Sequence, residues 1–146
     1  MEPMEQFQNQ VRKLIELVGF NEPSIDFDLE AKKIFVFVNE GEWFKELLPK
    51  IVSELDHLVK LLAKKEQVES FFVDVNNYRK ERERIIVELA KAAAKKALTA
   101  KEEVRLPTMN AYERRLVHVE LSIHPEVKTE SVGEGRERCV IVKPLL

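Results

Sequence analysis

Three shortages narrow the reading before any pattern is sought. Cys139 is the only cysteine among 146 residues, so no internal disulfide can form and the fold must rest on burial. It sits in the apolar run Cys139-Val140-Ile141-Val142, where a thiol behaves as a small buried hydrophobe. No apolar run approaches the ~20 residues needed to span a bilayer. Met1-Glu2-Pro3-Met4-Glu5-Gln6 is acidic and lacks a hydrophobic signal core. The expectation is a cytoplasmic protein with no direct membrane insertion. The third shortage is of reactive groups. His57, His118 and His124 have no metal-like spacing, and no His-Glu-x-x-His is present. Ser131 is not in a Gly-x-Ser-x-Gly turn, and no Gly-x-x-x-x-Gly-Lys cradle exists. We therefore expect no catalytic residues, no metal and no cofactor, and read the chain as a binder rather than an enzyme.

What remains is enough for a core. A hydrophobic content of 45% beside 34% charged residues and only four glycines describes a globular chain, not a disordered one. Its length suits one ordinary domain or two small ones. Charge divides the chain unevenly. Residues 1–68 hold nine Lys and Arg against thirteen Asp and Glu, a net of −4, while residues 69–146 hold fifteen against thirteen, a net of +2. Contact with a polyanion, if made, belongs mainly to the second half.

Phe7, Val11, Leu14 and Val18 mark an amphipathic first helix that ends near Gly19. Ile25, Phe27 and Leu29 alternate with Asp26 and Asp28, predicting a strand from Ser24 to Leu29 with one wet face. Lys33 to Val38 predicts a second strand, joined by a hairpin. Glu42 to Leu48 predicts a short helix interrupted by Pro49, followed by a longer one carrying Ile51, Leu55, Leu58 and Leu62. Ser70 to Val75 predicts a third strand. Trp43 and Phe44 could pack inward or anchor a partner or second copy.

Asn76 or Asn77 suits the N-cap of the next helix, expected over Tyr78 to Leu98 with Tyr78, Ile85, Leu89 and Ala93 as its stripe. Val104 to Thr108 predicts a short strand, and Asn110 caps a further helix. Met109, Tyr112, Leu116, Val119 and Ile123 form one apolar arc of that helix, expected to face the core, with Val117 and Leu121 as a second strip. Val127 to Thr129 and Cys139 to Lys143 complete a three-stranded sheet, with Val132 to Glu137 as the turn. The fold class is α+β: α-β-β-α-α-β, then a three-stranded sheet packed by two helices.

The chemistry concentrates between Asn110 and Lys143. Arg114 and His118 lie four apart, on one helical face, and can converge on one oxyanion, while Arg115 points elsewhere. Arginine offers a planar fork of donors and imidazole at least one more. Thr129 and Ser131 are two apart on an extended segment, so both hydroxyls can point the same way. Gly133 and Gly135 free the following loop to approach a backbone, and Arg136 and Arg138 add charge. Arg79 and Arg82 share a face of the preceding helix. Against this stand ordinary readings: a half-buried helix histidine, a surface salt bridge, a simple hairpin turn, and a solvated face on which Glu81 and Glu83 neutralise Arg79 and Arg82.

Tyr78-Arg79-Lys80-Glu81-Arg82, Glu113-Arg114-Arg115-Leu116-Val117-His118 and Thr129-Glu130-Ser131-Val132-Gly133-Glu134-Gly135 occur in order. Together they resemble the Arg-x-x-x-His, or R-three-H, single-stranded nucleic-acid-binding domain over about residues 74–144. The arrangement is similar to that of bacterial Jag-like proteins, in which a KH domain comes first. The resemblance implies a type II KH-like domain over residues 1–75 and the Arg-x-x-x-His domain over residues 76–146. It implies single-stranded RNA or DNA as ligand, RNA foremost, and no catalysis. The chain departs from the family where a KH domain carries Gly-x-x-Gly, because that position reads Glu46-Leu47-Leu48-Pro49. Without those glycines a backbone approach is blocked, so the domain is expected to have no ordinary KH-type binding. A homodimer or protein partner through that half is the remaining expectation for it. The rival reading is a protein-interaction scaffold or regulatory adaptor with a vestigial nucleic-acid-binding fold.

Overall fold

The computed structural model describes residues 2–145 and divides into two compact units, Met1–Arg79 and Lys80–Leu146. Both combine helices with a three-stranded sheet, so the α+β class holds. None of the described helices is long and apolar enough to cross a membrane.

The first unit runs α1 (Pro3–Val18), β1 (Ser24–Asp28), β2 (Lys33–Phe37), α2 (Trp43–Lys65) and β3 (Phe72–Val75). Helix α1 stops at Gly19, whose φ of 85° is the left-handed cap that glycine adopts at least cost. The hairpin forms as expected: β1 pairs antiparallel with β2, which then pairs in parallel with β3. Ile34 and Val36 point into a core closed by Phe7, Val11 and Ile15 of α1 and by Phe44, Val52, Leu55, Val59 and Ala63 of α2.

One expectation fails here. Pro49 does not divide two helices but lies inside α2, so the order is α-β-β-α-β. A proline inside a helix forfeits one backbone bond and crowds the preceding turn, at about 3 kcal/mol. Apolar positions 44, 48, 52, 55, 59 and 63 nevertheless keep one phase through it, and all pack in or against the core. Burying them outweighs the missing bond. Glu46-Leu47-Leu48-Pro49 is therefore helix and offers no loop. The same core shifts two expected stripes by one position: Ile15 and Val52 are buried, whereas Val18 and Leu58 are exposed.

The second unit takes in α3 (Tyr78–Ala100) from Lys80 on, then β4 (Val104–Arg105), α4 (Ala111–Leu121), β5 (Val127–Val132) and β6 (Cys139–Pro144). Asparagine does not cap α3. Asn76 and Asn77 both adopt positive φ, and the Asp74 carboxylate accepts the Arg79 N–H at 2.9 Å instead. The Asn76 side chain accepts the Val38 N–H at 2.9 Å. Sheet order is β4-β6-β5, antiparallel throughout. The α3 stripe is Ile86, Ala90, Ala93, Ala94 and Ala97, not the arc through Ile85. Alanines along that face let neighbouring elements approach closely.

Candidate nucleic-acid interface

Helix α4 starts where the sequence marks it. Asn110 Oδ1 accepts the Glu113 N–H at 2.8 Å, and Glu113 Oε1 accepts the Asn110 N–H at 3.2 Å. This reciprocal box satisfies two amides that the helix itself cannot. The other Glu113 oxygen takes Arg82 Nε at 2.7 Å, so Arg82 is tied to the cap through that nitrogen.

The buried side of α4 is not the longer apolar arc. Val117 and Leu121 enter the core with Met109, Leu106, Val140 and Val142, while Tyr112, Val119 and Ile123 are 58%, 61% and 74% exposed. Two apolar strips compete on this short helix, and the one adjoining the sheet is buried. With that strip buried, Arg114 and His118 lie at the edge of the core face, His118 against β5.

Thr129 and Ser131 lie on strand β5, not in a loop, and their hydroxyls do share one face. His118 Nδ1 is 2.6 Å from Thr129 Oγ1, and His118 Nε2 is 2.8 Å from Ser131 Oγ. Burial, and next the Arg114 charge, push the imidazole pKa below its ordinary value of 6.5, which favours the neutral ring. The two ring nitrogens thus bind neighbouring hydroxyls, whereas convergence of His118 with Arg114 on one oxyanion would need a free nitrogen.

Arg114 Nη1 donates to the Met109 carbonyl at 2.6 Å, which fixes the guanidinium and leaves its other donors. Arg114 and Arg136 line one shallow hollow of about 410 Å³ with Thr108, Met109, Asn110, Ala111, Glu113 and Gly135. Two guanidinium groups and the positive end of a helix around one hollow suit an anion. Arg136 reaches it from the turn after β5, whose single 3-10 turn spans Gly135–Glu137. Gly133 is fixed by geometry rather than freed for mobility: its φ is 89°, and a Cβ there would lie 2.8 Å from the Glu137 carbonyl oxygen. Arg138 Nε is buried with no hydrogen-bond partner among the described residues.

Arg114, His118, Thr129, Ser131, Gly135 and Arg136 therefore gather around α4 and β5, with Arg115 exposed on the same helix. Arg79 falls in the first unit, where its Nε donates to the Val73 carbonyl at 3.0 Å. Thr108, Asn110 and Ala111 were not foreseen as lining. The Asn110-x-x-Glu113 signature disclosed a helix start and said nothing of the hollow beside it.

Residues 84–144 match the R-three-H domain, a span that begins after Arg79 and Arg82. The chain is 38% identical over 93 residues to the RNA-binding protein KhpB of Clostridium symbiosum, covering 62% of this chain and 42% of that protein. It is 33% identical over 78 residues to the RNA-binding protein KhpB of Bacillus subtilis, covering 52% of this chain and 38% of that protein. The RNA-binding protein KhpB of Lactiplantibacillus plantarum is 34% identical over 70 residues, covering 48% of this chain and 22% of that protein. The chain spans less than half the length of these curated relatives.

Proposed function

We propose that the second unit binds the backbone of single-stranded nucleic acid, RNA foremost, through phosphate contacts around Arg114. The observation that carries this is the pairing of Arg114 and Arg136 across one hollow at the capped start of α4. The names of the KhpB relatives point the same way. Arg115 and Arg136 are exposed and extend the positive surface; Thr129, Ser131 and Gly133 shape the border strand and its turn. On this reading the protein works in the cytoplasm and carries out no reaction.

The test is anisotropy of a labelled single-stranded RNA against salt. Affinity should fall by about 0.7 power of salt for each phosphate neutralised. Arg114→Ala should weaken strands of many sequences alike, by roughly tenfold to a hundredfold, and lower the salt slope by about one phosphate's worth. Affinity and slope unchanged in Arg114→Ala would defeat the phosphate site.

A second reading, a protein-interaction scaffold or regulatory adaptor, draws on the exposed apolar side of α4 at Tyr112, Val119 and Ile123. For the first unit we propose a KH-like origin without ordinary KH-type binding, since the Gly-x-x-Gly position is helix. A partner or second copy would meet it at Trp43, which is 59% exposed while Phe44 is 3% exposed.

A further inference from the structure

Two hydroxyls on one neutral imidazole constrain what the site can offer a ligand. A neutral imidazole has one N–H and one bare nitrogen. With both nitrogens held by hydroxyls, one hydroxyl must donate its proton to the ring and the other must accept the ring N–H. The accepting hydroxyl keeps its own proton free, while the donating one has only lone pairs left to offer. In the neutral state the pair therefore shows one donor and one acceptor to anything outside. An anionic oxygen facing the acceptor would meet lone pairs.

Adding one proton to the ring reverses this. An imidazolium donates from both nitrogens, so Thr129 and Ser131 both become acceptors toward it, and both hydroxyl protons turn outward. The same side chains then offer two donors, beside the Arg114 guanidinium. No bond other than these hydrogen bonds changes, and the one added proton comes from solvent.

Resting on the phosphate reading above, we propose that His118 is a positioning residue that takes up one proton when the nucleic-acid backbone binds, releasing Thr129 and Ser131 together as phosphate donors. The surroundings support a ring that charges only with an anion present. From its own helix the ring faces Arg114, which opposes protonation. From β5 it meets the two hydroxyls, with no carboxylate hydrogen-bonded to it among the described residues. The charged groups of α3 near α4 are engaged elsewhere: Arg82 with Glu113, Glu83 with the Tyr112 hydroxyl, and Lys91 with Glu120. On β6, Lys143 pairs with Glu130 and Glu103. A bound phosphate supplies the negative charge that this neighbourhood lacks.

The sign follows from linkage. Binding raises the ring pKa, so the proton-linked affinity is complete below the free-protein pKa and disappears as pH rises through the bound-state pKa. Between those two values the dissociation constant rises up to about tenfold per pH unit, the limit for one proton.

The experiment uses the full chain and a labelled oligouridylate in two measurements. NMR titration of the His118 ring protons, with and without the oligonucleotide, reads the midpoint directly and needs no variant. Anisotropy between about pH 5.5 and 8, spanning the ordinary histidine range, reads the affinity for wild type, Arg114→Ala, Thr129→Val and His118→Gln. We expect the His118 midpoint to move up on binding, the wild-type affinity to fall with rising pH, and the pH slope to vanish in His118→Gln. Thr129→Val, which removes one of the two released donors, should weaken binding and flatten the slope in part. An unmoved midpoint and pH-flat affinity, with Arg114 still required, would overturn this inference and leave the phosphate site standing. Affinity indifferent to Arg114→Ala would overturn both.

Discussion

The two units differ in where their arginines go. In the first, Asp56 takes Lys60 and the Val73 N–H, Arg79 holds the Val73 carbonyl, and Asp74, only 7% exposed, accepts the Val75 and Arg79 amides. These bonds secure β3 and the start of α3, leaving little to offer a ligand. In the second, Arg136 and Arg115 stand exposed, and His118 holds hydroxyls at the border of α4 and β5. Polar groups matched to one another stabilise; the exposed arginines are the ones to which the phosphate proposal assigns binding. Seven of the nine arginines lie in the second unit, so arginine count and arginine exposure point to the same half of the chain.

Substitutions can sharpen that contrast or break it. The largest effect should come from Phe44→Ala, which empties a site at the first unit's core and should cost about 3–5 kcal/mol of stability, read by urea unfolding. The neighbouring Trp43→Ala should stay within about 0.5 kcal/mol, as for most exposed positions. Equal costs for the two would show that the exposed tryptophan is structural after all.

Next comes Gly133→Ala, where positive φ and the Glu137 carbonyl together should cost about 1–3 kcal/mol and shift the turn carrying Arg136. Gly135→Ala meets open space at a φ of 57° and should lose about 1–2 kcal/mol. Comparing their melting temperatures and RNA affinities separates a turn that is required from one that is merely convenient. A smaller effect is expected from Arg82→Ala. Its pair with Glu113 is partly exposed on the arginine side, so the loss should be about 1 kcal/mol or less, with RNA affinity little changed. A drop in affinity matching that of Arg114→Ala would mean that Arg82 reaches the ligand despite its pair with Glu113.

Much of the fold was legible because local rules decide it. Gly19 could end α1, the link after Leu29 could turn a hairpin, and Asn110 with Glu113 could start α4 without reference to distant residues. Errors appeared wherever two local answers were equally good. Proline argues for a break at residue 49, yet the apolar phase runs through it. Helix α4 has two apolar strips, and periodicity alone does not say which one meets the sheet. The sheet strand β5 is expected only to Thr129 and the turn from Val132, whereas pairing with β6 carries the ladder to Val132 opposite Cys139.

By itself the sequence determined the class of the fold, the approximate elements, the shortage of reactive groups and the shared faces of Arg114 with His118 and of Thr129 with Ser131. Spacing along a helix or strand is enough for that, since residues four or two apart share a side whatever surrounds them. Only tertiary structure decided that both imidazole nitrogens would be taken by hydroxyls, that Arg82 would be held by a cap, and that Arg114 and Arg136 would border one hollow. Those outcomes depend on which apolar strip the sheet buries, a choice settled by packing between elements far apart in the chain.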